Sequence, residues 1–151
     1  RGEKRTGEKA VKTFVIDASV VLKWYLGDEV NDDSALSLLN RFVDNDVDLV
    51  APTLLEYEVI SGLIIAQRRG RIPDSTLINA ISAFQGLGIK LENIAGLGMR
   101  MLFYAKKYTR SAYDAAYLVV AEHMKSDFIT ADKALYNATH KDLPWVTLLV
   151  P

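Results

Sequence analysis

The sequence predicts one α/β domain built around a mostly parallel sheet. Short apolar segments rich in β-branched residues alternate with longer helical segments along the chain. Neither an internal repeat nor a linker divides the 151 residues, and half of them are hydrophobic, which suffices for one substantial core. We therefore expect a single domain over residues 13–151 with about four to five short strands.

The elements follow one another in a strand–helix order. The segment TFVID at 13–17 predicts the first strand, and Thr53 is a plausible N-cap for the longest helix, which Gly70 ends. The predicted strands cover residues 13–17, 48–52, 89–93, 127–130 and 144–150. The predicted helices cover residues 19–26, 34–43, 54–69, 73–88, 94–108, 111–125 and 131–140.

Residues 1–12 differ from the rest of the chain in composition. They are basic and polar, unlike a secretory signal, and we expect a flexible tail or a cloning remnant. The longest apolar stretch, near residues 59–66, is far shorter than the roughly 18 residues of a membrane span. We therefore expect a cytoplasmic protein that does not enter a membrane.

The composition excludes several classes of site. The chain has no cysteine, so it can form neither a disulfide nor a thiolate metal site. It lacks the glycine-rich loops of P-loop and dinucleotide-binding proteins and the G-x-S-x-G motif of serine esterases. The formal net charge of −1 provides no global basic field, so a nucleic acid would have to be bound by a local basic patch.

Two acids follow predicted strands and are candidates for a site. Asp17 ends the first strand and Asp132 follows the strand at 127–130, so both should lie at the same edge of a parallel sheet, where ligands bind. An aspartate in this position can also be a helix cap. Ser19 could cap the first helix equally well, and Thr130 competes with Asp132, so both interpretations stay open.

Three further acids lie in apolar surroundings. Asp114 follows Ser111 in a pattern close to a capping box, but its neighbours indicate a buried helix start, where a carboxylate needs compensation. Glu56 and Glu58 have no basic neighbour three or four positions away that would explain them as helical ion pairs. We expect one of these two glutamates to enter a polar pocket.

Four segments of the chain together resemble a known family. They are FVIDASVVLKWYL, APTLLEYEVISGL, SAYDAAYLVVAEHM and FITADKAL, and their order and intervals are similar to those of PIN-domain ribonucleases, specifically VapC-type toxins of toxin–antitoxin pairs. The resemblance runs from about Thr13 to the C-terminus. It implies a three-layer α/β/α PIN-like fold and a metal-dependent endoribonuclease that leaves a 5′-phosphate and a 3′-hydroxyl.

The resemblance also assigns the site residues. It places the four catalytic and metal-binding acids at Asp17, Glu58 (rather than Glu56), Asp114 and Asp132, and it gives Ser19 and Thr130 supporting roles. Carboxylates brought together repel one another unless a cation neutralises them. Oxygen ligands without sulfur favour Mg²⁺ or Mn²⁺.

The implied partners are RNA, a small antitoxin protein and a second copy of the chain. The basic segment KKYTR, with Lys106, Lys107 and Arg110, precedes the Asp114 motif and is preferred over RRGR at 68–71 for binding RNA. Each cluster could equally stabilise a helix C-terminus through the helix dipole. The apolar helix at 54–67 is a candidate surface for the dimer or the antitoxin.

Two other functions stay open beside the toxin. One is a PIN-domain nuclease of RNA processing or decay that has no antitoxin, and the other is a catalytically silent RNA-binding PIN module. A phosphatase of the haloacid dehalogenase kind is disfavoured because it needs an acid where this chain has Ser19.

Overall fold

A computed structural model describes residues 11–27 and 33–149. Within them, five parallel strands form one sheet in the order β3-β2-β1-β4-β5. The predicted tail at 1–12 lies outside the described residues except for its last two positions. Residues 28–32 and Val150 also lie outside them. The strands are β1 (Lys12–Ile16), β2 (Val47–Pro52), β3 (Lys90–Glu92), β4 (Asp127–Thr130) and β5 (Val146–Leu148).

Helices cover both faces of this sheet and give the predicted three-layer α/β/α architecture. One group is formed by α1, which packs on α2 and α3, while α3 also packs on α4. The other group contains α5 and α6, and α6 crosses β1, β2 and β4. The helices are α1 (Ala18–Tyr25), α2 (Asp33–Val43), α3 (Leu54–Arg68), α4 (Asp74–Gly86), α5 (Gly98–Tyr108), α6 (Ala112–Met124) and α7 (Lys133–Thr139).

The core lies between the sheet and its helices. The neighbouring strands β1 and β4 contribute Val15, Ile16 and Phe128, which are all fully buried, as their β-branched and aromatic composition predicts. Every residue of α6 from 115 to 121 is buried, so this helix has no solvated face at its centre. The start of α6 is thereby held firmly against the carboxyl ends of the strands.

The order of the strands places β1 at the point where the chain changes direction. From β1 the chain proceeds to β2 and β3 on one side, then returns to β4 and β5 on the other. In open α/β sheets, ligands bind at such a switch point, beyond the carboxyl ends of the strands. Ile16 pairs with Ile129, so Asp17 and Thr130 emerge side by side there.

Several predicted boundaries were wrong at the ends of elements. The helix predicted from residue 94 begins at Gly98, because Gly96 adopts a left-handed backbone (φ +88°) that interrupts a helix. Thr53 precedes α3 but makes no side-chain capping hydrogen bond. The last strand covers only Val146–Leu148.

Gly62 permits the close approach of two helices that carry site residues. A Cβ atom added at Gly62 would lie 2.6 Å from a terminal methyl carbon of Leu22. The helix α1, which follows Asp17, therefore packs against α3 at a distance that a larger residue would increase. None of the helices within residues 11–27 and 33–149 is long and apolar enough to cross a membrane.

Candidate active site

Asp17 lies at the carboxyl end of β1 and is held there by two hydroxyl groups. The Ser19 hydroxyl donates to its Oδ1, and the Thr130 hydroxyl donates to its Oδ2 over 2.5 Å. The same hydroxyl oxygens accept from backbone N–H groups that follow β4: Ser19 from Ala131 at 2.9 Å and Thr130 from Asp132 at 3.1 Å. The predicted supporting residues thus join the ends of β1 and β4.

The surroundings of Asp17 make its charged form costly. The residue is only 7% exposed, and burial raises its pKa from 3.8 to about 6, although the hydrogen bonds from Ser19 and Thr130 oppose the rise. A carboxylate in such a position accepts a cation readily, because the cation compensates the charge that burial disfavours.

Asp17 is also the N-cap of α1, which answers the question that the sequence left open. Its side chain accepts from the Ser19 N–H at 3.1 Å, so Asp17 is the cap of the two candidates that the sequence offered, Asp17 and Ser19. The Ser19 hydroxyl points back to Asp17 instead, since one carboxylate can cap the helix and accept from a hydroxyl at the same time.

Asp132, just after the end of β4, likewise caps a helix and interacts with a second side chain. Its Oδ1 accepts from the Leu135 N–H at 3.1 Å and caps α7, so the side chain of Asp132, not that of Thr130, is the cap. Its Oδ2 lies 3.6 Å from a guanidinium nitrogen of Arg110. The charge on Asp132 contributes to the raised pKa of Asp17, which indicates that the two acids share one electrostatic environment.

Asp114 lies in the first turn of α6, and Ser111 is its N-cap as expected. The Ser111 hydroxyl accepts from the Asp114 N–H at 3.0 Å. The side chain of Asp114 turns to Arg110, whose Nε and Nη2 both lie 3.0 Å from Oδ2. Arg110, which the sequence suggested as an RNA contact, therefore pairs with two of the four predicted acids.

The two glutamates of α3 have different partners. Glu58 accepts a 2.6 Å hydrogen bond from the hydroxyl of Tyr117, a residue one turn beyond Asp114 on α6. Glu56 lies elsewhere, beside Gln85 of α4 in a pocket with Phe84, Ile89 and Leu91. Glu58 therefore contacts α6, the helix that carries Asp114, whereas Glu56 contacts α4.

Tyr117 connects the acids electrostatically. Burial, and then the hydrogen bond to Glu58, raise the pKa of its hydroxyl above the ordinary value, with smaller contributions from Asp17 and Asp114. Its ring is stacked on Phe128 of β4, with centroids 5.9 Å apart, which fixes the hydroxyl in place. Through these contacts Tyr117 is linked to Glu58, Asp17 and Asp114, and Arg110 is linked to Asp114 and Asp132.

The donor chemistry of this cluster fits a hard divalent cation. The acids offer carboxylate oxygens, and neither histidine nor any sulfur ligand takes part. Within the described residues no three acidic side chains converge as a ready-made cation site, and Arg110 occupies the position between Asp114 and Asp132.

The contacts of Arg110 with Asp114 and Asp132, and that of Tyr117 with Glu58, were not predicted, since the sequence indicated Arg110 only as an RNA contact and gave Tyr117 no role. A signal for Arg110 existed in its spacing, since a basic residue four positions before Asp114 can pair with it across one turn. The contact with Asp132 and the bond from Tyr117 to Glu58 join elements far apart in the chain, and no local pattern indicates them. The other predicted RNA contacts, Lys106 and Lys107, are exposed in the last turn of α5.

Two curated proteins are similar to this chain over most of its length. Ribonuclease VapC9 of Mycobacterium tuberculosis and VapC ribonuclease Mb0985 of Mycobacterium bovis are each 28% identical to the chain over 131 residues, covering 87% of it and 94% of the relative.

Two solved structures share the fold. PAE2754 from Pyrobaculum aerophilum superposes with a TM-score of 0.67 at 18% identity, over 93% of this chain and 92% of that one. The sarcin–ricin loop cleaving toxin VapC20 of Mycobacterium tuberculosis gives 0.61 at 12% identity, over 83% and 95%. The PIN domain itself matches residues 14–141, which include all four acids, and the chain belongs to the PIN domain family.

Proposed function

We propose that the protein is an endoribonuclease of the VapC type, the toxin of a toxin–antitoxin pair. The observation that carries the proposal is the buried carboxylate of Asp17 at the switch point of the sheet, together with three further acids, Glu58, Asp114 and Asp132, that are linked to one another through Tyr117 and Arg110. The relatives that are named VapC ribonucleases support it, since they span nearly the whole chain. A nuclease of this kind acts in the cytoplasm, where its RNA is.

The proposed cofactor is Mg²⁺ or Mn²⁺, held by Asp17, Asp114 and Asp132 with Glu58. When bound, such an ion lowers the pKa of water, orients the scissile phosphate and stabilises the charge that develops during in-line displacement. Ser19 and Thr130 hold the Asp17 carboxylate in one orientation through their hydroxyl groups. Tyr117 does the same for Glu58, to which we assign the role of accepting a proton from the attacking water.

The surface of α5 is the proposed path for the RNA. Lys106 and Lys107 lie in a shallow groove with Met99, Leu102 and Phe103, on the helix that leads into the Asp114 loop. Phosphates can pair with the lysines, and an exposed aromatic ring such as Phe103 can stack on an unpaired base. Because the chain is slightly acidic overall, this local patch has to supply the attraction.

The proposed protein partners are an antitoxin and a second copy of the chain. The helix α3 buries Leu55, Val59 and Leu63 in the core, but it exposes Tyr57 and Ile65, and the adjoining α4 exposes Ile78. Large apolar side chains on one pair of helices favour a protein contact over solvent. Co-expression with a small neighbouring gene, followed by size-exclusion chromatography with light scattering, tests both partners.

The function is tested by incubating the purified protein with RNA in Mg²⁺ or Mn²⁺, with and without a chelator, and analysing the product ends. We expect cleavage that the chelator abolishes, products with a 5′-phosphate, and no cleavage by Asp114→Asn. Cleavage that persists in the chelator, or that yields a 2′,3′-cyclic phosphate, contradicts metal-assisted hydrolysis. RNA binding without any cleavage indicates a catalytically silent module instead.

A further inference from the structure

Arg110 forms a bridge between two acids that belong to different elements. Its Nε and Nη2 lie 3.0 Å from Oδ2 of Asp114 in α6, and its Nη2 lies 3.6 Å from Oδ2 of Asp132, the residue that caps α7. The arginine side chain is 23% exposed and the two carboxylates are 27% and 38% exposed. The guanidinium is therefore partly withdrawn from solvent, in the mouth of the acidic cluster.

This contact differs from the other arginine pair that lies close to α6. Arg100 forms a fork with Glu122 at 2.6–3.2 Å, but that pair is exposed and involves no acid of the site. Arg110 instead compensates two of the carboxylates that the proposed function assigns to the metal. The short link Thr109–Ser111 between α5 and α6 presents Arg110 to both acids at once.

We propose that Arg110 is an internal counter-cation, which holds Asp114 and Asp132 together in the metal-free protein and which a divalent cation displaces. This inference rests on the proposed function, because it assumes that the four acids bind a divalent ion. It assigns to Arg110 a positioning role, distinct from the RNA contact that its sequence suggested.

The competition follows from charge and from the orientation of the ligands. The Oδ2 of Asp114 accepts two guanidinium contacts, so a cation that approaches this oxygen from the same side competes with Arg110 for it. A positive charge a few ångströms from the ion repels it as well, even through a largely aqueous medium. Removal of the guanidinium should therefore tighten ion binding, by about tenfold in the dissociation constant.

The opposite role is physically possible and gives the opposite result. An arginine that preorganises Asp114 for the metal lowers the cost of ordering the ligand, so its removal weakens ion binding. The sign of the change in affinity therefore separates a counter-cation from an organiser of the site.

The test is a titration of the metal-free protein with MnCl₂ by isothermal titration calorimetry, without RNA. Wild type is compared with Arg110→Gln, which removes the charge but keeps a polar chain, and with Arg110→Lys, which keeps the charge but loses the fork. Arg100→Gln is the matched control, because it removes the same charge from the pair with Glu122. Melting temperatures in a chelator and in MnCl₂ verify folding.

We expect Arg110→Gln to bind Mn²⁺ about tenfold more tightly than wild type, Arg110→Lys to lie between them, and Arg100→Gln to match wild type. In the chelator, Arg110→Gln should melt at a lower temperature than wild type, since Asp114 and Asp132 lack their counter-cation. Its melting temperature should then rise more than that of wild type when Mn²⁺ is added. An unchanged or weaker affinity in Arg110→Gln overturns the inference, and so does an equal gain in Arg100→Gln. If neither wild type nor any variant binds Mn²⁺, the metal site of the proposed function fails and the inference fails with it.

Discussion

Asp17 shows how one side chain can have both a structural and a chemical role. It caps α1 through the Ser19 N–H and at the same time receives the hydroxyl groups of Ser19 and Thr130. An aspartate on the protein surface could cap a helix without being buried. The burial of this carboxylate is unfavourable for the metal-free fold, and a cation would relieve it.

The first prediction concerns the stability of the metal-free protein as a function of pH. Because the pKa of Asp17 is raised from 3.8 to about 6, the folded state keeps a proton that the unfolded state loses between these values. Stability should therefore fall as pH rises through this window and stay lowered above about 6, by an amount on the order of 2–3 kcal/mol. Urea unfolding at pH 4 to 8 in a chelator measures it.

Asp17→Asn should remove this dependence. An amide carries no charge and can still cap α1, so the variant should be more stable than wild type at pH 7.5 and close to it at pH 4. Asp74→Asn, in the exposed first turn of α4, is the matched control and should not be more stable than wild type at pH 7.5. Equal stability of wild type and Asp17→Asn across the pH range would show that Asp17 is not destabilised by burial.

The second prediction concerns Tyr117. Tyr117→Phe removes the 2.6 Å hydrogen bond to Glu58 while keeping the ring stacked on Phe128. We expect about a tenfold loss of Mn²⁺ affinity or cleavage rate, as for other residues that orient metal ligands, with a stability change of about 1 kcal/mol. Tyr113→Phe, on the exposed face of α6, should behave as wild type. A fully active Tyr117→Phe would mean that Glu58 needs no orienting bond.

The packing of the strands and helices brings the site residues together. Asp17 directly follows β1, and Asp132 lies two residues after β4. The helix α6 carries Asp114 and Tyr117, and α3 carries Glu58. The separation of α1 and α3 is set at Gly62, which packs against Leu22. The position of Glu58 relative to Asp17 therefore depends on a contact one turn further along α3.

The third prediction tests this contact. Gly62→Val places a branched side chain against Leu22 and should destabilise the protein by about 1–3 kcal/mol through overpacking. Ser61→Val, the neighbouring exposed position, introduces the same side chain without the contact and serves as the control. Thermal melting measures the difference, and equal melting temperatures for the two variants would contradict a close packing of α1 on α3.

For the molecule as a whole, RNA must be attracted by a local patch, since the net charge is −1. The fourth prediction is that Lys106→Ala with Lys107→Ala weakens RNA binding and lowers the slope of log affinity against log salt by about 1–2, one phosphate contact each. The pair Lys90→Ala and Lys141→Ala removes the same charge elsewhere on the surface and should change the slope little. Fluorescence anisotropy at 50–300 mM salt gives both slopes; equal slopes would exclude α5 as the RNA path.

Much of this architecture could be predicted because it depends on local signals. The short apolar segments indicated the five strands along the chain, although not their order in the sheet, and Asp17 and Asp132 were expected at one edge because both follow parallel strands. The helical pattern could not distinguish Glu56 from Glu58, since both lack a local partner, and the hydrogen bond that distinguishes them comes from Tyr117, far along the chain. Arg110 was assigned to RNA for the same reason: its second partner, Asp132, is 22 positions away in the chain.

The most direct test of the account is one cleavage assay of isosteric variants on the same labelled RNA at saturating Mn²⁺. We predict that Asp17→Asn, Glu58→Gln, Asp114→Asn and Asp132→Asn each lose about a hundredfold or more of the rate, while Glu56→Gln cleaves as wild type does. A wild-type rate for Asp17→Asn or Asp114→Asn, or a loss in Glu56→Gln equal to that of Glu58→Gln, would contradict the site described here.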